Sequence, residues 1–504
     1  EYIMEKISLK QLDSDSLEQI SFNRHGPNSI SDTDFAKALD NISPTFCVAK
    51  WKQTTLHLQN GHTQSCHHPA THKVPWQELI NRPSALHNTH YKMKMRDQMK
   101  HGFRPRECEY CWRVEDARKK ETDALSDRYY KSRDFWATKY IPEILKNDST
   151  ADIPPSYLEV SFSNVCNFKC MYCAPHISSK WMQEVKSHGP YPTSGKFNNL
   201  EYIERANQMP IPNNQPNKYV EAFWKWFPDI YDKLEVFRIT GGEPFMSKDT
   251  IKVLEFLTDN PAPNMELHIN SNFCIVDKLW ERVMSMLKRL VIEKKIKKLH
   301  MYTSAEAYGA ASEWIRFGMD YDKWIRNLEW YVMNMPDTEH GPSHVTIMST
   351  VNALSLPTYV EFIKDVARVK SMASMRDTPK NATYGSYVLN NRLSIDFPYL
   401  RNPSFLSIFL FQRDMMPTAV KWLEDAKYYA KIGRFNDHEI TKIDRLITTL
   451  KGDTRWSDTF RQQNEQDFVK YIAEYDKRRD TNFNATFPEL KSFRDSIIIT
   501  ESED

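Results

Sequence analysis

The stretch from Tyr157 to Cys173, YLEVSFSNVCNFKCMYC, decides the fold of this 504-residue chain. It opens on a β-prone run, Tyr157–Phe162, and leads without an intervening helix into Cys166, Cys170 and Cys173, spaced CxxxCxxC. Three candidate metal ligands within eight residues make a chance arrangement a poor explanation. The stretch therefore predicts a strand with a metal- or cluster-binding loop at its carboxyl end.

Short β-prone runs alternate with longer helical patterns from this point onward. Such alternation favours a parallel sheet with crossover helices, an α/β fold. Six strands in this order predict a partial (β/α)6 TIM-type barrel, whose catalytic face is at the carboxyl ends of the strands. The predicted strands are Tyr157–Phe162, Leu234–Thr240, Glu266–Phe273, Lys298–Ser304, Val345–Val351 and Ser386–Ile395. The predicted helices include Thr250–Asp259, Asp277–Glu293, Asp322–Met333 and Tyr359–Val369.

Composition shifts divide the chain into five segments around this barrel. A segment rich in Pro, Asn and Gly interrupts the barrel and reads as an insertion or lid. The segments are a polar, loosely packed lead-in (1–40), a cysteine-rich module (41–115), a helical connection (116–155), the barrel (156–400, with its insertion at about 184–218) and a helical C-terminal extension (401–504).

Overall composition excludes several classes of protein. Hydrophobic residues make up 40% and charged residues 27% of the chain, which is typical of a globular protein and excludes wholesale disorder. The net charge of +2 gives no support for nucleic-acid binding. The longest stretch without Asp, Glu, Lys or Arg, His340–Val360, contains Pro342, Pro357 and Asn352, so no membrane span is predicted. Glycine is scarce, at 13 residues, and the adjacent pair Gly241–Gly242 therefore indicates a specific role.

The three cysteines after the first barrel strand suit a [4Fe–4S] cluster. Three thiolates can each bind one iron and leave the fourth iron open to another ligand. A zinc knuckle that lacks its fourth ligand is the alternative, and chance spacing is the third reading.

The CxxxCxxC with an aromatic residue, Tyr172, before its last cysteine resembles the signature of radical S-adenosylmethionine (SAM) enzymes. The next part of that family's pattern follows at Thr240-Gly241-Gly242-Glu243-Pro244, after the second predicted strand. In the family this motif binds the amino group of SAM. Glycines allow close backbone approach to a ligand, and a carboxylate matches an ammonium group.

Weaker matches to the same family follow along the barrel. Asn272 ends the third strand, although Phe273 stands where the family often has Gly. The resemblance implies that Ser304 contacts the ribose of SAM, with Glu306 in place of the usual Asp, and that Arg316 binds the SAM carboxylate. Val351 is a candidate for packing against adenine, although a purely structural place in the core explains it equally well.

Four cysteines lie before the barrel: Cys47, Cys66, Cys108 and Cys111. The pattern Cys47-x13-Gly61-x4-Cys66, followed by Cys108-x2-Cys111, resembles the twitch/SPASM-like auxiliary-cluster module, which in the relatives considered follows the barrel. Four thiolates can bind a second [4Fe–4S] cluster, with a hairpin at Gly61. A four-cysteine zinc site, with His67 or His68 as possible substitutes, remains the alternative because both metals accept four thiolates.

The resemblance covers residues 156–400 and implies a radical SAM enzyme that cleaves SAM reductively at a [4Fe–4S] cluster. The 5′-deoxyadenosyl radical then abstracts hydrogen from a substrate, which we expect to be a peptide or protein. The alternatives are the same chemistry on a sugar, nucleoside or other small molecule, and a non-catalytic zinc or iron–sulfur binding protein. An electron donor of the flavodoxin or ferredoxin type and a reducing, cytoplasmic setting are also expected.

Overall fold

The computed structural model describes residues 16–17, 30–118, 124–377, 392–452 and 456–498. The chain divides into two compact units, each assembled from several segments. The first unit contains Glu1–Ser163, Pro210–Gly241 and Pro261–Leu267, and the second contains Asn164–Met209, Gly242–Asn260 and His268–Asp504.

The strands are short and most of them are parallel to their neighbours. In chain order they are β1 Gln53–His57, β2 His62–Gln64, β3 His72–Lys73, β4 Tyr157–Ser161, β5 Lys169–Cys170, β6 Val236–Thr240, β7 Ala262–Asn270, β8 Ile296–Thr303, β9 Arg316–Phe317, β10 His344–Met348 and β11 Leu393–Asp396.

The first unit has a sheet in the order β3–β2–β1–β4–β6, followed by the first part of β7. β1 pairs in parallel with β4, with Gln53 opposite Tyr157 and His57 opposite Ser161, and β4 pairs in parallel with β6. β1 and β2 form an antiparallel hairpin in which Gly61 has a φ of +67°. The cysteine-rich module therefore adds strands directly to the edge of β4.

Helices of the first unit pack around an aromatic core. Phe35, Trp51, Trp112 and Trp136 are all buried in one cluster. The helices are Asp32–Asp40, Ala49–Lys52, Trp76–Leu79, His90–Lys100, Glu109–Arg118, Asp127–Ser132, Ile141–Lys146 and Lys218–Trp226.

In the second unit β8, β10 and β11 are neighbours in that order, and both pairs are parallel. β5 and β9 form a separate antiparallel pair in the same unit. One face of the main strands is apolar and buried, with Leu299, Met301 and Ile347 as examples. The helices are Ser179–His188, Leu200–Arg205, Lys248–Asp259, Asp277–Ile292, Gly309–Ile315, Tyr321–Asn334, Tyr359–Asp377, Met416–Ile432, Asp437–Lys451, Asp458–Arg479, Phe483–Thr486 and Lys491–Ser496.

The α/β class and the mostly parallel sheet confirm the predicted strand–helix alternation. Each predicted barrel strand has a counterpart, from β4 to β11, although residues 386–391 of the last prediction lie outside the described residues. Closure toward a barrel stays a prediction. The lead-in is not loosely packed throughout: Ser31 caps the helix Asp32–Asp40, which buries Phe35 and Leu39.

Among the described residues, no helix combines the length and the apolar composition that crossing a bilayer requires.

Candidate functional site

The loop that carries Cys166, Cys170 and Cys173, here called the cysteine loop (residues 164–175), folds back on itself. The Cys173 N–H donates to the Cys170 carbonyl at 2.9 Å, and β5 within the loop pairs with β9. Ser178 then caps the helix Ser179–His188 and donates from its hydroxyl to the Phe168 carbonyl at 2.8 Å. The cysteine loop is therefore fixed at both its strand pair and the helix that follows.

The three thiols of the cysteine loop are shielded from solvent. Cys166 is 9% exposed, and Cys170 and Cys173 are of intermediate exposure. Burial raises the pKa of Cys173 to about 12, with repulsion from Cys170 as the next cause, and burial raises the pKa of the other two thiols as well. Shielded thiols need a cationic partner to become thiolates, and a metal ion held at this loop would meet that need.

Gly241 and Gly242 occupy positions that a larger residue would disrupt. Gly241 has a φ of +136°, in the region that favours glycine. A Cβ on Gly242 would lie 2.3 Å from the Val165 carbonyl oxygen and 2.8 Å from that of Asn164. The Glu243 N–H donates to the same Val165 carbonyl at 2.7 Å. The backbone of Gly242 and Glu243 thus packs directly against the start of the cysteine loop.

Glu243 is a buried carboxylate held by backbone donors. Its Oε2 accepts from the Asn272 N–H at 2.7 Å, and its Oε1 accepts from the Phe245 N–H at 3.1 Å. The side chain is nearly fully buried, and in the described part of the chain no Lys, Arg or His forms an ion pair with it. Burial raises the pKa of Glu243 to about 7, against the lowering effect of these hydrogen bonds. A cationic ligand would offset that cost.

Asn272 connects the end of β7 to the cysteine loop. Its Nδ2 donates to Asn167 Oδ1 at 2.7 Å, and its Oδ1 accepts from the Cys274 N–H at 2.9 Å. Phe273 follows with a φ of +58°, so the backbone keeps the left-handed conformation for which Gly is suited. The Phe273 ring is buried and packs against Trp280, with ring centroids 5.0 Å apart.

Arg316 lies at the centre of a buried polar network beside the cysteine loop. Its Nε and Nη2 contact Glu306 Oε2 at 2.8 and 2.7 Å, and Nη2 also donates to the Tyr172 hydroxyl at 2.6 Å. Its Nη1 approaches Cys170 Sγ at 3.7 Å. The Tyr172 hydroxyl donates in turn to Glu306 Oε1 at 3.0 Å. Despite burial, the attraction of Glu306 raises the pKa of Arg316, which therefore stays charged.

The two remaining predicted residues differ in exposure. Ser304, one residue beyond β8, is half-buried and accessible to a ligand. Val351 is completely buried in a bridge with Tyr399, and its N–H donates to the Pro398 carbonyl at 2.8 Å. The structure thus gives Val351 a place in the core, and its contact with adenine stays a prediction.

The four cysteines of the first unit line one shared pocket. Cys108 and Cys111 are buried, and burial raises the pKa of each to about 12. Lys50 lines the same pocket, fully buried and paired with Glu107. Burial lowers the pKa of Lys50, but attraction to Cys108 and Glu107 outweighs it, and the pKa is raised overall. A buried cation beside four thiols suits a site that carries negative charge.

His67 and His68, the possible substitute ligands, differ in their surroundings. His68 lines the pocket, but its Nε2 bonds to Asp127 Oδ2 at 2.6 Å and its ring stacks on Tyr110. His67 Nε2 lies 3.5 Å from Gln53 Nε2. Within the described residues, no group of three or more His, Cys, Asp or Glu side chains is arranged to hold a single metal ion.

Sequence reasoning missed the residues that brace the cysteine loop from the C-terminal extension. Arg479 Nη1 donates to the Lys169 carbonyl at 2.9 Å, and the Tyr471 hydroxyl donates to the Met171 carbonyl at 2.7 Å. Arg479 also forms a buried ion pair with Glu184, at 3.1 Å from Nε to Oε2. These contacts span about 300 residues of sequence, so no local spacing indicates them.

Comparison with curated proteins finds relatives named GTP 3′,8-cyclase. The protein of Campylobacter jejuni subsp. doylei is 29% identical over 138 residues, which are 27% of this chain and 34% of that protein. That of Pectobacterium atrosepticum is 27% identical over 106 residues, 21% of this chain and 24% of that protein. That of Sulfurimonas denitrificans is 24% identical over 135 residues, 27% of this chain and 33% of that protein.

These matches are partial, because this chain spans about a third or less of the length of those relatives. No protein-family model matches the chain. GTP 3′,8-cyclases are radical SAM enzymes, so the matches support the radical SAM superfamily and, at that level, enzyme function.

Proposed function

We propose that this protein is a radical SAM enzyme whose [4Fe–4S] cluster is held by Cys166, Cys170 and Cys173. One observation carries the proposal: two separate motifs of the predicted SAM site dock on the cysteine loop. Gly242 packs on the Val165 carbonyl, and Asn272 donates to Asn167 at 2.7 Å. A plain zinc knuckle has no need for these two distant segments at its loop.

The residues of the second unit fit the cluster and SAM. The cysteine loop supplies three thiols, one fewer than a fully ligated cluster requires, which leaves one iron for SAM. When bound, the cluster supplies the electron that breaks the S–C5′ bond of SAM, giving methionine and a 5′-deoxyadenosyl radical. The chain itself must bind SAM, orient the substrate and exclude water.

Glu243 is proposed to hold the amino group of SAM. Its carboxylate is buried, fixed by two backbone donors and without a cationic side-chain partner among the described residues. An ammonium group would therefore complete a buried ion pair whose anionic half is already oriented. Gly241 and Gly242 allow the backbone approach, and Ser304 is placed for the ribose.

Arg316 is proposed to donate hydrogen bonds both to the cysteine loop and to the carboxylate of SAM. A guanidinium has five N–H donors. Four of them are directed to Glu306, Tyr172 and Cys170, since Nε, both N–H groups of Nη2 and one of Nη1 have partners there. One N–H of Nη1 is left for the SAM carboxylate.

The N-terminal cysteines are proposed to hold a second [4Fe–4S] cluster. Their shared pocket and the buried Lys50 support this assignment, and a four-cysteine zinc site is the alternative. Four thiolates fill the coordination of such a cluster, which favours electron relay or structural support over binding of substrate.

The substrate, the partners and the compartment remain proposals drawn from the sequence. A peptide or protein substrate and a small molecule are the two candidates, and an electron donor of the flavodoxin or ferredoxin type is required by the chemistry. An oxygen-labile cluster implies a reducing, cytoplasmic setting. Neither nucleic-acid nor membrane binding is proposed.

The test is production of 5′-deoxyadenosine by anaerobically reconstituted protein with excess SAM and dithionite. We expect product from the wild type and none from Cys166→Ala. Absence of product from wild-type protein that retains iron at the cysteine loop would contradict radical initiation. It would favour the non-catalytic binding protein.

A further inference from the structure

The strands of the second unit have one polar face, which the proposed SAM site does not use. Along β8, buried Leu299, Met301 and Thr303 alternate with half-buried His300 and Tyr302. The same alternation continues on the neighbouring strands, so polar side chains line up across the sheet. We call this set the polar strand face: His268, His300, Tyr302, His344, Thr346 and Ser394.

Hydrogen bonds and ring contacts join the polar strand face into one surface. His300 Nε2 bonds to Thr346 Oγ1 at 2.8 Å, and Thr346 Oγ1 to Ser394 Oγ at 2.9 Å. Ser394 Oγ bonds to His344 Nε2 at 2.8 Å. The His300 ring stacks on Tyr302, with centroids 4.2 Å apart. Two imidazoles are thus connected through two hydroxyl groups across three strands.

Such a face is unusual for parallel strands. Parallel strands are generally covered on both sides and read as continuous apolar runs, and the interior of a TIM-type barrel is filled by branched apolar side chains. Here only one side is apolar. On the other side the imidazole and phenol rings are only half-buried, so part of each ring remains accessible to a ligand. The alternation therefore indicates a binding surface rather than a packed core.

The polar strand face leads directly to the proposed SAM contacts. Residues two apart on a strand share a face and lie about 6.8 Å apart. Ser304 lies one residue beyond the carboxyl end of β8, which carries Tyr302, and Asn272 lies two residues beyond the carboxyl end of β7, which carries His268. A ligand on this face would therefore lie next to the ribose end of SAM, where hydrogen abstraction begins.

We propose that the polar strand face binds the substrate, and that the substrate is a small polyhydroxylated molecule, a sugar or the sugar of a nucleoside. Neutral imidazole, phenol and aliphatic hydroxyl groups each donate and accept hydrogen bonds, which matches hydroxyl groups on a ligand. The stacked rings of His300 and Tyr302 suit the flat face of a sugar or base. This inference rests on the proposed radical SAM function and favours the small-molecule alternative over a peptide.

The test measures binding by isothermal titration calorimetry on the reconstituted protein with saturating SAM. The probes are guanosine, GTP, glucose and a capped uncharged peptide. The variants are His300→Phe and the milder Tyr302→Phe, which removes only a hydroxyl group. Met301→Leu, on the opposite face of the same strand, is the matched control.

We expect guanosine, GTP or glucose to bind, with Kd raised about tenfold by His300→Phe and severalfold by Tyr302→Phe, and unchanged by Met301→Leu. Comparison of the Kd for guanosine with the Kd for glucose then distinguishes a nucleoside from a free sugar. Absence of binding by all three, or equal binding by the wild type and both variants, overturns the proposal. Binding of the peptide alone also overturns the proposal. A loss of SAM affinity in Tyr302→Phe overturns it as well, because the polar strand face would then belong to the SAM site.

The proposed radical SAM function is tested by a measurement that is independent of substrate binding. Failure of radical initiation appears as absence of 5′-deoxyadenosine in wild-type protein with dithionite. The calorimetric test needs no turnover, so the binding assignment can fail while radical initiation holds.

Discussion

Asn272 Nδ2 donates to Asn167 Oδ1 at 2.7 Å, and this bond connects the end of β7 to the residue that follows Cys166. The Asn272 N–H meanwhile donates to Glu243 Oε2 at 2.7 Å. One residue thus contacts both the cysteine loop and the carboxylate proposed to hold SAM. A substitution in any of the three segments should therefore disturb the other two.

Gly242→Ala should damage the cysteine loop. The new Cβ would lie 2.3 Å from the Val165 carbonyl oxygen, so the backbone at one of the two must move. We expect lower iron content and loss of SAM cleavage, together with destabilisation of about 1–3 kcal/mol from overpacking. Iron analysis and thermal unfolding measure the two effects.

Gly195→Ala is the matched control, because no atom lies within 4 Å of its new Cβ. Its iron content and melting temperature should equal those of the wild type. If Gly242→Ala had the same iron content as the wild type, the GGE segment would not support the cysteine loop.

Glu243→Gln should alter the pH dependence of stability in the protein without SAM. Burial raises the pKa of Glu243 from 4.5 to about 7 in the folded state. The wild type therefore loses stability as pH rises from about 4.5 to 7, by about 3 kcal/mol at most. Glutamine stays neutral, so the melting temperature of the variant should rise relative to the wild type over this range.

The measurement is thermal unfolding between pH 4 and pH 8.5, with exposed Glu281→Gln as control. A constant difference between Glu243→Gln and the wild type at every pH would contradict a buried carboxylate with a raised pKa. Restoration of wild-type stability by SAM at pH 8, but no effect of SAM on the variant, would further support the ammonium contact.

The alternating strands and helices are predictable because apolar runs and helical periodicity are local in sequence. The predicted helix Asp277–Glu293, for example, differs by one residue from the observed Asp277–Ile292. The strand β1 is missed because its residues, Gln53–His57, are mostly polar and yet buried. Their burial depends on pairing with β4 and β2, which local periodicity does not show.

The candidate site is predictable where backbone conformation dictates the residue and less so where side chains pair at long range. Phe273 departs from the expected Gly, yet its φ of +58° keeps the left-handed turn, and a buried ring compensates the strain. Arg316 lies beside the cysteine loop and pairs with Glu306, which is visible only in three dimensions, and its predicted contact with the SAM carboxylate stays a prediction.

Arg479→Met should destabilise the protein and loosen the cysteine loop. Arg479 is completely buried, pairs with Glu184 and donates to the Lys169 carbonyl. After its removal the buried Glu184 carboxylate keeps Lys169 and the Tyr191 hydroxyl as partners, so we expect a loss of about 1.5–3 kcal/mol. We expect a lower melting temperature and faster loss of iron to a chelator.

Lys477→Met provides the control for that change, since this neighbouring cation is 80% exposed and should be near neutral. If Arg479→Met lowers the melting temperature but iron is lost at the wild-type rate, the C-terminal helix stabilises the fold without supporting the cysteine loop.

Replacement of Cys108 and Cys111 by alanine should remove about four iron atoms per chain, because one [4Fe–4S] cluster depends on them. Both cysteines line the pocket shared with Cys47 and Cys66, and the charge of buried Lys50 complements thiolates there. Iron at the cysteine loop should stay, since it depends on other ligands. The double variant and the wild type are compared by iron, zinc and sulfide analysis.

Cys274→Ala is the control, because this buried cysteine donates from Sγ to the Asp320 carbonyl at 3.4 Å and is assigned no metal. Its iron content should match that of the wild type. Loss of about one zinc with iron unchanged would instead identify the first unit as a zinc site. Lys50→Met should weaken metal binding there whichever metal is held, because four thiolates around either metal leave net negative charge beside this buried cation.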